Sequence, residues 1–131
     1  MRILLDTHVL LWVLGARTRL DRATLTSIES EANDVLFSTA SIWEIAIKSA
    51  LGRGDFGVRP ADIADAALNA GFVELPIRVN AACLVADLPL LHRDPFDRIL
   101  VAQAITEPAK LYTADAELLP YSELVQRVGA Q

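Results

Sequence analysis

Four short stretches of this 131-residue chain carry acids in patterns that could do chemistry: "LLDTH" with Asp6, "SIWEIAIK" with Glu44, "HRDPFDRIL" with Asp94 and Asp97, and "LYTADAEL" with Asp115. Carboxylates gathered at one place repel by about 4 kcal/mol per unit-charge pair at 4 Å and an effective permittivity of 20. Such a group persists by taking up protons or a divalent cation, and oxygen-only ligands suit Mg²⁺ or Mn²⁺ better than zinc.

Each acid also has a structural explanation. Asp6 can cap the helix that follows it, a role Asp fills well. It also lies between the apolar runs "RILL" and "VLLWVL", where a buried carboxylate needs a partner or a metal. The two roles balance. Ser41 and Glu44 match a capping box, and Glu44 with Lys48 forms an i,i+4 pair. The surrounding helix is so apolar that its Glu/Lys stripe does not read as ordinary solvated surface. Asp94 reads as an N-cap, Pro95 as the first helical residue and Asp97 as a first-turn acid. That spacing alone does not call for a metal. Thr113 is a competent N-cap for the last short helix, which leaves Asp115 or Glu117 for its first turn, and taken alone Asp115 needs no further role.

The elements that must position these acids alternate. "RILL" predicts a strand that is central in its sheet, "VLLWVLG" a helix, and "LDRATLTSIESEAN" an amphipathic helix with Leu20, Leu25, Ile28 and Ala32 near one face. "DVLFST" is strand-like and "SIWEIAIKSALG" helical, followed by the turn "RGDFGV". "PADIADAALNAG" has the Pro-first, Gly-last asymmetry of a helix. "FVELP" predicts a strand, "RVNAACLVADL" a helix, "PLLHRD" a loop, "PFDRILVAQAITE" a helix, "AKLYT" a strand, "ADAELL" a short helix and "LVQRV" a last strand. No internal repeat or linker interrupts the series, so one domain over residues 1–131 is expected. Short apolar strands alternating with helices point to the α/β class, a sandwich built on a parallel β-sheet. The junctions after "RILL", "VLFST" and "KLYT" then open at one edge, where such folds build their sites.

The composition narrows the field. A hydrophobic fraction of 53% with 22% charged residues describes a globular chain, and a net charge of −5 argues against a broad phosphate-gripping basic surface. One cysteine, Cys83, excludes an intrachain disulfide and fits a cytoplasmic protein. The N-terminal apolar run is interrupted by Asp6 and His8 and falls short of a membrane span, so mature folded sequence is expected there.

Taken in order, "LLDTH", "SIWEIAIK", "HRDPFDRILVAQA" and "LYTADAEL" resemble the successive motifs of the PIN-domain ribonucleases, and more closely the VapC-type toxins of bacterial toxin–antitoxin pairs. The resemblance runs from Asp6 to about Leu119. It implies a three-layer sandwich with a central parallel β-sheet flanked by helices, and a metal-dependent endoribonuclease whose catalytic and metal-binding acids map onto Asp6, Glu44, Asp97 and Asp115, Asp94 standing behind them as a cap. It also implies Mg²⁺ or Mn²⁺ as cofactor, RNA as substrate, a cognate antitoxin protein as partner, and a homodimer. Thr7, Ser41, Lys48 and Thr113 occupy positions suited to orienting ligands or water. Metal-assisted phosphodiester hydrolysis needs no side-chain nucleophile.

Other residues read more plainly. His8 and His92 lack metal-ligand spacing; His8 is expected to pack near the site and His92 to sit in a loop at the groove rim. Trp12 and Trp43 are expected in the core or at a dimer contact, and Cys83 as a small buried hydrophobe. Lys48, Arg93 and Arg98 are candidates either for RNA phosphates or for ion pairs with the acids. A phospho-acceptor receiver domain needs a paired acid after the first strand, and a D-x-D phosphatase a second acid where His8 stands; neither pattern is met. A catalytically silent PIN-like module that binds RNA or protein is the remaining alternative.

Overall fold

The computed structural model describes residues 1–52 and 57–129. Residues 53–56, most of the expected "RGDFGV" turn, lie outside the described part. Five strands, β1 (Arg2–Leu5), β2 (Asp34–Ser38), β3 (Val73–Leu75), β4 (Lys110–Thr113) and β5 (Val125–Arg127), form one sheet in the order β3-β2-β1-β4-β5. All four pairings are parallel, with Leu4 registered against Leu36 on one side and Leu111 on the other. β1 is therefore central, as its uninterrupted apolar run implies.

The helices are α1 (Thr7–Gly15), α2 (Arg22–Glu29), α3 (Thr39–Ala50), α4 (Pro60–Asn69), α5 (Val79–Leu84) and α6 (Pro95–Thr106). Side chains alternate across the sheet and feed two cores. Ile3 and Leu5 join Val9, Leu10 and Val13 of α1, Ile28 of α2 and Ala67 of α4. Leu4 points the other way, to Leu100, Val101 and Ala104 of α6 and Leu111 of β4. The sandwich thus has three layers.

Chain direction along the sheet reverses between β1 and β4. The first three strands progress outward from β1 on one side, and the chain then returns to lay β4 on the other. The backbone N–H of Asp6 donates to the Tyr112 carbonyl at 3.0 Å, tying the two strand exits together. In open α/β sheets the crevice at this switch point is where ligands bind.

Local boundaries depart from the sequence expectation at informative places. α1 starts two residues early because Asp6 caps it, its side chain accepting from the Val9 amide at 2.8 Å. α2 runs only from Arg22 to Glu29, capped by Asp21, and Ala32 is exposed beyond its end. α3 begins at Thr39 and is capped by Ser38, so the Ser41–Glu44 capping box does not exist. Ser41 lies inside the helix and is fully buried. Helix α4 ends at Asn69, and its expected stop, Gly71, follows the C-cap Ala70 with a φ of +86° that favours glycine. "RVNAACLVADL" splits into α5 and a 3-10 turn, Val85–Asp87, and "ADAELL" becomes a 3-10 helix, Ala116–Tyr121.

Cys83 does not lie in the core, and of the two expectations for Trp43, core or dimer contact, the core is excluded. Cys83 is exposed because α5 turns Ala81 inward. Trp43 is 59% exposed and meets Phe96 edge-on, with centroids 5.3 Å apart. Trp12 does pack against the first core, with His8 at 6.0 Å and the Arg19 guanidinium at 5.4 Å from its ring. Among the described residues no helix is long and apolar enough to cross a membrane.

Candidate active site

The carboxyl ends of β1 and β4, with the amino end of α6, enclose a cleft of about 370 Å³ lined by Asp6, His8, Trp12, Asp97, Ala114 and Asp115. Three of the four acids proposed from sequence thus share one opening. Glu44 lies behind it, buried in α3. Its Oε1 accepts from the Thr7 hydroxyl at 2.6 Å, the same hydroxyl lies 3.0 Å from the Ser41 hydroxyl, and its Oε2 pairs with Lys48. Thr7, Ser41 and Lys48 therefore orient Glu44. The apolar environment of α3 explains the arrangement, since a buried carboxylate must find donors.

Asp6 does two jobs at once. It caps α1 through Val9, and it takes a hydrogen bond from the Thr113 side chain. Burial nonetheless pushes its carboxyl above the ordinary value of 3.8; Thr113, Val9 and His8 oppose the rise, and the charge of Glu44 adds to it. Asp97 is pushed up to about 7, chiefly by burial and then by the charges of Asp94, Asp6 and Glu44, with His92 pulling the other way. Asp6, Glu44 and Asp97 thus feel one another's charge. The nearest ion-pair partner of Asp97, His92 Nε2, lies 3.6 Å away, beyond hydrogen-bond length.

Asp94 caps α6: its Oδ1 accepts from the Phe96 amide at 2.8 Å and the Asp97 amide at 3.4 Å. Asp97, one turn in, projects into the cleft instead of serving the helix. Asp115 is itself the N-cap of the last 3-10 helix, taking the Glu117 amide at 2.9 Å, while Thr113 accepts from the Asp115 amide at 3.0 Å. Thr113 so links Asp6 to Asp115.

His92 lies in the loop before α6, as expected, and what the sequence did not show is its contact with the acids. Its side chain is only 15% exposed, and Nε2 stands 3.0 Å from Asp115 Oδ2 and 3.6 Å from both Asp97 Oδ2 and Glu117 Oε2. Among the described residues, His92, Asp115 and Glu117 are the group whose potential ligand atoms all fall within 4.8 Å of one another. The available clue was proximity to Asp94 within "HRDP", and spacing alone gives such a clue no direction. Arg98 fills neither of its expected roles. Its guanidinium donates to the carbonyls of Pro89, Val85 and Leu88 and to the Tyr121 hydroxyl, so it neither pairs with the acids nor faces the cleft as a phosphate contact. Arg93 is exposed.

Chemically, the cleft offers carboxylate oxygens, partly buried and mutually repelling, with one of them lacking a close donor. That set fits a hard divalent cation, which relieves the repulsion that protons would otherwise relieve.

Comparison with known proteins agrees with this architecture. The PIN domain family model matches residues 3–123. A chain of VapBC2 from Rickettsia felis, in a crystal structure bound to a DNA fragment from their promoter, superposes with a TM-score of 0.73 at 14% identity, covering 98% of this chain and 99% of that one. A chain of VapBC-1 from nontypeable Haemophilus influenzae superposes with a TM-score of 0.62 at 17% identity, covering 97% and 96%. No curated protein sequence matches. With the family model spanning nearly every element of the sandwich, the chain belongs to the PIN domain family.

Proposed function

We propose that this chain is a VapC-type toxin, an endoribonuclease that hydrolyses RNA phosphodiester bonds with Mg²⁺ or Mn²⁺. The observation that carries the reading is the common cleft of Asp6, Asp97 and Asp115 at the switch point of the sheet, with Glu44 close enough to raise both Asp6 and Asp97. The likeness to VapBC chains supports the toxin assignment and a cognate antitoxin partner. A homodimer follows from the same reading.

A divalent cation held there would supply Lewis-acid activation of water and neutralise charge at the scissile phosphate. The protein's part is positional. Asp6, Asp97 and Asp115 present oxygens to the cleft, Thr113 steadies Asp6, and the Thr7–Glu44–Lys48 network fixes the buried fourth acid. Of the three basic candidates, Arg98 is committed to the backbone and Lys48 pairs with Glu44, while Arg93 is exposed and available to an RNA phosphate.

The test is Mn²⁺-dependent cleavage of RNA by Asp6→Asn and Asp97→Asn, each shown folded by circular dichroism. Loss of cleavage in both is expected. Wild-type cleavage in both would remove the nuclease assignment, and an inactive wild type that still binds RNA would favour a silent binding module.

A further inference from the structure

The ring of His92 is held at both nitrogens, and the two contacts differ in kind. The Asp94 backbone amide donates to Nδ1 at 3.1 Å. An amide N–H has no lone pair to offer, so Nδ1 must be the unprotonated nitrogen, and the ring proton sits on Nε2. Nε2–H then points into the acids and donates to Asp115 Oδ2 at 3.0 Å. A nitrogen that carries a proton cannot ligate a metal. The compact His92–Asp115–Glu117 group therefore does not offer the nitrogen that its spacing suggests.

The segment carrying this ring is braced from two sides. The His92 amide donates to the Tyr121 hydroxyl at 2.9 Å, and Arg98 of α6 reaches the same hydroxyl at 3.1 Å. Tyr121 closes the 3-10 helix that Asp115 opens. Asp115 is in turn gripped at both oxygens, Oδ1 by the Glu117 amide and Oδ2 by His92. With 38% of its side chain exposed, Asp115 would otherwise be free to rotate toward solvent.

We propose that His92 is a positioning residue: an Nε2–H donor, its tautomer set by the Asp94 amide, that holds Asp115 in the cleft beside Asp97. "HRDPFDR" is then one device. Asp94 caps α6 with its side chain and sets the His92 tautomer with its amide, while His92 aims Asp115 and Asp97 faces it. Carboxylates that bind metals depend on such partners, whose loss costs about 10–100-fold in metal affinity or activity. The inference rests on the metal-site reading above, but the ring tautomer can be measured without metal or RNA.

Two histidines make the measurement tractable in the full chain. In ¹⁵N-labelled protein at a fixed pH, long-range ¹H–¹⁵N correlations should show His92 with its proton on Nε2, unchanged at saturating Mg²⁺. A proton on Nδ1, or inversion of the tautomer by Mg²⁺, would overturn the proposal. Titration calorimetry with Mn²⁺ gives the second readout. His92→Ala should bind about tenfold more weakly, and His92→Gln, which keeps a donor near Nε2, should bind as the wild type does. Equal loss in both variants would mark His92 as a ligand and refute the positioning role. A wild type that binds no divalent cation would remove the metal-site reading, whereas the tautomer result would still decide the geometry of His92.

Discussion

Replacing Asp97 by Asn should abolish activity and yet stabilise the metal-free protein at alkaline pH. The carboxyl is raised from 3.8 to about 7 by burial and neighbouring acids. Between those values the folded state binds a proton that the unfolded state has lost, so stability falls as pH rises through this window. Above about pH 7 the full penalty is present, and below about pH 4 it vanishes. At about 1.4 kcal/mol per pH unit the penalty is at most about 4 kcal/mol. Asparagine has the same shape without the charge, but its amide must also be desolvated, so a net gain of about 2 kcal/mol is expected. Urea unfolding at pH 8 in EDTA should show Asp97→Asn as the more stable protein, with the advantage shrinking toward pH 4. Saturating Mg²⁺ should reverse the order, because ligand at a hundred times its Kd adds about 2.7 kcal/mol to the wild type alone. An Asp97→Asn variant that is destabilised equally at every pH would refute the electrostatic account of the cleft.

Further predictions follow from the scaffold. Gln103 is fully buried, accepting from Ser38 at 2.6 Å and donating to the Pro76 carbonyl at 3.3 Å, so Gln103→Leu should cost about 2–4 kcal/mol in urea unfolding. A cost near zero would mean that this network does not join α6 to β2 and the end of β3. Ser38→Ala should cost about 1 kcal/mol or more through loss of the α3 cap. If α3 were instead capped by Ser41, melting after Ser41→Ala would show a cap-sized loss while Ser38→Ala stayed neutral. Cys83 should react with a thiol reagent in native protein; a requirement for denaturant would place it back in the core.

What could be read in the sequence was whatever depends on periodicity and on the immediate neighbour. "RILL" had to be a buried central strand, because four apolar residues before an acid have no solvated face to offer. Asp94-Pro95 had to open a helix, since proline sets its own φ and restricts the residue before it. The same logic put acids at strand exits, and parallel topology then put those exits on one edge. The ordered motifs added the family, which four separate acids could not have specified.

What the tertiary structure decided was the choice among competing partners. Ser38 and Ser41 are both competent caps, and only the end of β2 selects Ser38 and turns Ser41 toward Thr7. Arg98 has carboxylates beside it in the sequence, yet the carbonyls of Pro89, Val85 and Leu88 converge on it in space. Cys83 and Trp43 sit in apolar strings whose inward face is set by what packs there. His92 is 23 residues from Asp115, and no local rule relates them. Their meeting requires β4 to lie beside β1 and α6 to start above both. A hydrogen bond depends on position to within tenths of an ångström, while sequence periodicity reports only which face a residue is on.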